Sequence, residues 1–179
     1  MRLVSILFLC CIFSVGLSAQ QGVTDSAGVK KMIAQASALQ SEEAIEILEK
    51  AVIISKQIRY DRGTESAFRE LITKYKTRGQ IASELRTRIQ FGNFLSAKKR
   101  FRDLAGHTYE TGNLYFVSKL YTKAEEAYNE AEKLSATYAP ELHYDILRQL
   151  GVTERYLKKW TEAQKSLQAA AGLAIKKKK

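Results

Sequence analysis

The chain has 179 residues, 45% hydrophobic and 27% charged, with 29 Lys and Arg against 19 Asp and Glu for a net charge of +10, one proline and two cysteines. That length supports a packed core without covalent staples. Both cysteines, Cys10 and Cys11, lie in an N-terminal apolar run, so disulfide or thiolate chemistry is excluded from everything that follows it.

Met1-Arg2 precedes an almost unbroken apolar stretch, Leu3 to Leu17, and then Ser18-Ala19-Gln20. A membrane-spanning helix needs roughly 20 apolar residues, and Ala19 is the small residue a signal peptidase requires. Residues 1–19 are therefore read as a secretory signal peptide. A lipidated leader is disfavoured because Leu9 stands before Cys10 where a small residue is wanted; a retained anchor is the other alternative. Cleavage removes Arg2, leaving a net charge of +9, no cysteine and no transmembrane segment.

Residues 20–27 form a small, polar lead-in, in which Asp25 or Ser26 can cap the first helix. Val29, Met32, Ile33 and Ala36 then make an apolar stripe at helical spacing. After a turn near Leu39 to Ser41, a second helix carries Ile45, Leu48, Ala51, Val52 and Ile54 inward. Residues 59–63 read as a turn, Thr64 as the start of a third helix with Ala67, Phe68, Leu71, Ile72 and Tyr75 on its core side, and Gly79 as its end. The next helix runs from about Gln80, as far as Lys99 at most, with a kink or break expected at Gly92. Two more helices occupy roughly 103–135. Pro140 begins another, where its fixed φ suits a first turn, and a last one runs from Trp160 to about Ile175. No strand pattern of useful length appears.

Gly112, Tyr115, Tyr121, Ala124, Tyr128 and Ala131 fall at the spacings of two short packed helices, small residues where backbones approach and large ones beside them. Leu150, Gly151, Trp160, Ala163, Leu167 and Ala170 reproduce the pattern, with Gly112 to Gly151 and Ala124 to Ala163 both 39 apart. Ala44, Leu48 and Ala51 repeat the second-helix series upstream. The unit between reads Leu71, Tyr75, Gly79, Ile81, Leu85 and Ile89, with Glu84 and Arg88 where an alanine and an aromatic are wanted, leaving its register open. The pattern resembles the tetratricopeptide (TPR) repeat, and the resemblance implies an all-α solenoid of about four antiparallel helix pairs over residues 28–175, followed by a basic tail, 176–179.

The resemblance also implies a binding scaffold whose ligand lies on a concave surface lined by the first helix of each pair. Matching positions give Arg69 and Lys76 in unit two, Tyr109, Asn113 and Phe116 in unit three, and Arg148, Val152 and Arg155 in unit four. Such a groove is basic with an aromatic centre and suits an acidic peptide or protein segment. Tyr109 replaces the lysine with which some TPR proteins hold a C-terminal carboxylate, so that specialised role is not expected.

No catalytic residue, metal site or cofactor is expected. His107 and His143 lie on different units without other ligands close in sequence, and no phosphate loop, nucleophile elbow or paired-histidine metalloprotease motif occurs. The leading expectation is an exported, non-enzymatic scaffold, periplasmic or secreted, without nucleic acid as partner. The alternatives are the sensor portion of a larger membrane-bound regulator and a basic surface for anionic envelope polymers, the latter drawing on Lys98-Lys99-Arg100 and Lys158-Lys159. Leu167, Ala170 and Leu173 on the last helix offer a homodimer face.

Overall fold

In the computed structural model, residues 25–176 are described; the expected signal peptide, most of the lead-in and the tail beyond Lys176 lie outside them. Eight α-helices follow one another with no strand among the described residues: α1 (Ser26–Ala38), α2 (Glu42–Gln57), α3 (Asp61–Thr77), α4 (Ile81–Ala97), α5 (Phe101–Val117), α6 (Tyr121–Tyr138), α7 (Pro140–Tyr156) and α8 (Trp160–Lys176). They pair as α1–α2, α3–α4, α5–α6 and α7–α8. The second helices begin at 42, 81, 121 and 160, the spacing of 39 to 40 read from the sequence.

Chain entry is fixed by Asp25, whose carboxylate accepts the Gly28 amide at 2.7 Å as an N-cap. The other end of α1 has no basic residue in its last turn. Lys74 of α3 supplies the cation instead, its buried Nζ donating to the Ser37 and Leu39 carbonyls at 3.1 and 2.5 Å. Unit two is thereby tied to unit one through carbonyls that a helix end leaves unpaired.

Two boundaries differ from the sequence reading. Helix α3 starts at Asp61 rather than Thr64, because the Tyr60 carbonyl already accepts the Thr64 amide at 3.0 Å. Gly63 belongs to its first turn, against the Tyr60 ring, where a Cβ would come within 2.4 Å of a ring carbon. Helix α4 runs through Gly92 without a break; the buried Phe91 and Leu95 on either side anchor it against its neighbours and offset the glycine's cost.

Five connections share one form: three residues, of which the middle one has positive φ. These residues are Arg59, Gly79, Lys99, Lys119 and Lys158, at φ 55° to 64°. The α6–α7 link departs from it, since Pro140 at the first position of α7 holds that junction.

The core divides along the chain. One apolar cluster joins α1 to α4 with Leu104 of α5, centred on Phe68, Phe91, Leu48 and Leu95. A second joins α5, α6 and α7 through Ala124, Tyr128 and Leu150. Between consecutive helices, close packing is densest within α5–α6 and α7–α8 and sparsest on the two sides of α4.

Candidate functional site

First helices approach across unit boundaries, α1 to α3 and α5 to α7, whereas no two second helices do. The solenoid therefore curves with α1, α3, α5 and α7 on its inner face. The exception is the middle boundary: α3 and α5 make no close approach, and a groove of about 460 Å³ opens between them.

The sequence explains the gap. Where unit three has Gly112, a Cβ would lie 2.6 Å from the Tyr128 ring, so glycine is what lets α6 close on α5. Forty residues earlier the same position is Ile72, and its opposing partners, Ala124 and Tyr128 in unit three, are Glu84 and Arg88. A branched side chain facing a carboxylate and a guanidinium cannot interlock as glycine does with a tyrosine ring, and α4 stands off. The register of unit two is thus unshifted; its contents are different.

Arg69, Ile72 and Thr73 of α3 form one wall and Arg102, Gly106, His107 and Glu110 of α5 the other, with Glu141 and Leu142 of α7 at one end. The floor is Arg88 and Phe91 of α4. Arg88 Nε donates to Glu84 Oε1 at 2.8 Å, and the two side chains are only 10% and 4% exposed. Among the described residues the terminal nitrogens of Arg88 have no acceptor, and Arg88 also lines a cavity of about 500 Å³ on the far side, between α4, α5 and α6. The remaining charges are largely occupied. Arg69 bonds Glu65 and lies over the Phe91 ring at 5.4 Å, Arg102 reaches Glu141 at 2.6 Å, and Arg100 holds Asp103 at 2.5 Å. Two further bonds from Arg100 reach Glu65, whose carboxyl stays below its usual range: burial raises it, but the Arg100 and Arg69 guanidinium groups outweigh that.

His107 sits in the wall with Nε2 2.7 Å from the Arg88 carbonyl. A carbonyl only accepts, so the proton is on Nε2. Burial pushes the ring's pKa down, keeping it neutral. The other histidine is hydrogen-bonded to a serine: His143 Nδ1 lies 2.9 Å from Ser135 Oγ, with Glu132 3.8 Å from Nε2. This is no nucleophile–base pair, because the fully buried Ser135 hydroxyl donates to the Glu132 carbonyl at 3.0 Å and so accepts from the imidazole. No cluster of metal-ligating side chains occurs among the described residues.

The residues chosen by matching positions are scattered. Arg69 lines the α3–α5 groove. Lys76, Arg148 and Arg155 are exposed and Val152 is half-buried. Tyr109 packs tilted against Tyr128, with ring centroids 6.0 Å apart, and Asn113 accepts the Tyr128 hydroxyl at 2.8 Å, so both serve the α5–α6 contact. Phe116 lies at the edge, against Tyr121 and Tyr156. Arg88, Arg102 and His107 were absent from that set, yet the signal was present: an acid and a base four apart at positions where the repeat wants core residues. Arg155 instead borders a separate groove of about 470 Å³ on α8, lined by Trp160, Ala163, Leu167 and Ala171. The last helix thus keeps an apolar side open.

No family model matches the sequence, and no curated protein is significantly similar to it. Solved structures are similar in fold. The apo form of RapI superposes with a TM-score of 0.67 at 14% identity over 87% of this chain, which spans 59% of the RapI chain. TPR-like repeats of a kinesin light chain assignment from Podosopora anserina give 0.60 at 18% identity, over 83% of this chain and 75% of that one. The fold is a TPR-like helical-repeat solenoid.

Proposed function

We propose that the protein is an exported TPR-type scaffold that binds an acidic segment of a partner protein across the inner face, with a carboxylate entering the α3–α5 groove to meet Arg88. The observation that supports this reading most is Arg88 itself. Its side chain is nine-tenths buried, while its terminal nitrogens, unpaired among the described residues, offer the planar, bidentate donor that a carboxylate fits. The neighbouring cations Arg69 and Arg102 are already bonded to Glu65 and Glu141, which leaves Arg88 as the groove's unpaired donor. Export rests on the apolar leader alone.

The test is a random peptide library panned against the full chain, in parallel with Glu84→Ala/Arg88→Met. Removing both members of the ion pair avoids stranding a buried charge, so the variant keeps its fold by circular dichroism. The expected result is enrichment of Asp- or Glu-containing peptides by the normal chain and loss of that enrichment in the variant. Peptides without acidic bias, or equal capture by both, would overturn the assignment of Arg88.

A further inference from the structure

Because consecutive helices run antiparallel, the turns at 78–80, 118–120 and 157–159 lie at one end of the solenoid and those at 58–60 and 98–100 at the other. The two ends are chemically unlike. Among the described residues, half of the ten exposed large hydrophobic side chains gather at the first end, in or beside three consecutive turns: Ile81, Val117, Leu120, Tyr156 and Trp160. Four of these belong to units three and four, with exposures of 72% for Val117, 47% for Leu120, 58% for Tyr156 and 64% for Trp160. Tyr156 also joins Phe116 and Tyr121 in a three-ring cluster, with centroids 4.8 to 5.4 Å apart, that locks the two turns into one surface.

Exposed cations without an acidic partner among the described residues crest the turns at both ends, Arg59 and Lys99 at the opposite one, so it is the apolar residues that set this end apart. Lys119 and Lys158 occupy the positive-φ crest of each turn, exposed and with no acidic partner among the described residues, and Arg155 is likewise free. Lys159 and Lys123 are tied to Glu125 and Glu126, and Glu162 is an exposed acid one turn further on. At the opposite end Lys98 is bonded to Asp61, and Arg100 to Glu65 and Asp103. There the exposed large apolar residues are Tyr138 and, at the end of α8, Ile175, with Ile58, Tyr60 and Phe101 half-buried near the turns.

We propose that the rim formed by the α5–α6 and α7–α8 turns docks on an anionic lipid bilayer. Rings with a polar edge, Tyr156 and Trp160, suit the headgroup boundary, where one side is apolar and the other wet. Val117 and Leu120 reach past it. Lys119 and Lys158 beside them carry the charge that anionic headgroups attract, on stems long enough to follow the surface. The side chains project from turn crests rather than lining a pocket, a shape that meets a deformable, laterally uniform surface better than a partner with fixed relief. The site is separate from the α3–α5 groove, so one can fail without the other.

Trp160 is the only tryptophan in the chain, so its emission reports on this rim alone. The chain without its leader, residues 20–179, is titrated with vesicles of equimolar phosphatidylglycerol and phosphatidylcholine, and with phosphatidylcholine alone. A blue shift and co-sedimentation are expected with the anionic vesicles only. Lys119→Glu/Lys158→Glu should weaken that binding by on the order of thirtyfold or more, taking the contribution of each lysine near an anionic surface. Val117→Ser/Leu120→Ser should reduce the blue shift while circular dichroism is unchanged, since both residues are exposed and neither belongs to the three-ring cluster. Three results would overturn the proposal: no shift with either vesicle, equal binding to both, or sedimentation unaffected by the lysine changes. Binding to dextran sulfate and to anionic vesicles alike, without a blue shift, would mark a patch acting by charge alone and would also overturn it.

Discussion

Two ionisable side chains, the half-buried His107 and the buried Glu154, give the stability of this protein opposite dependences on pH. His107 has its pKa lowered, chiefly by burial, so the folded state resists the proton that the unfolded chain accepts near 6.5. Its contribution is present at neutral pH and is lost as pH falls through that range. Glu154 behaves in reverse. It is buried between α7 and α8 with Oε2 lacking any partner, and burial raises its pKa above the usual carboxylate value. The folded state therefore holds its proton longer, and stability falls as pH rises from about 4.5 through the raised value. Urea midpoints measured between pH 4.5 and 7.5 should separate the two: His107→Gln removes the loss on the acid side, and Glu154→Gln removes the loss on the neutral side. At pH 7.5, Glu154→Gln should be more stable than the normal chain by about 1 kcal/mol, an unpaired buried charge having become a neutral amide. A variant no more stable at pH 7.5 than at 4.5, relative to the normal chain, would contradict this account of Glu154.

Among the helices, one substitution is expected to act with opposite signs at two places. At Gly92 a methyl group would meet His107 and Leu104 at ordinary contact distances of 3.6 to 3.8 Å. Alanine there only removes backbone freedom from the unfolded chain, and Gly92→Ala should stabilise by about 0.5–1 kcal/mol. At Gly112 the methyl group would press into the Tyr128 ring, and Gly112→Ala should destabilise by about 1–3 kcal/mol as α5 and α6 are forced apart. Thermal unfolding of the two variants checks both signs. The contrast shows what a sequence conveys about an element. The period of 39 to 40 and the helix limits near Gly79 and Pro140 are written in residue types that admit few conformations. Whether a glycine inside a helix is a break or a packing device depends on what lies across from it, which Gly92 and Gly112 do not reveal by themselves.

For the whole molecule, the same limit explains how much of the groove was legible. The TPR-like architecture followed from small and aromatic residues recurring at a fixed register. Positions transferred by that register presuppose equal spacing between units, and the Ile72, Glu84 and Arg88 substitutions spoil the spacing at the place where the groove opens. Glu84→Ala/Arg88→Met should draw α4 back toward α3 and stabilise the protein by about 1–4 kcal/mol, as replacements of buried ion pairs by apolar residues do. Hydrogen exchange should show the gain concentrated in α4 and α5; a gain spread evenly over all eight helices would argue against a local seam.

The sparse packing on both sides of α4 also has a kinetic meaning. Apart from α1 with α3 and α5 with α7, each helix touches only its chain neighbours, so folding closes short loops and spreads outward from wherever it begins. Such a front advances quickly where each new helix is rewarded by dense contact and slows where it is not. The pair α5–α6 is the natural place to start, and α4 is the step that delays the union of the two halves.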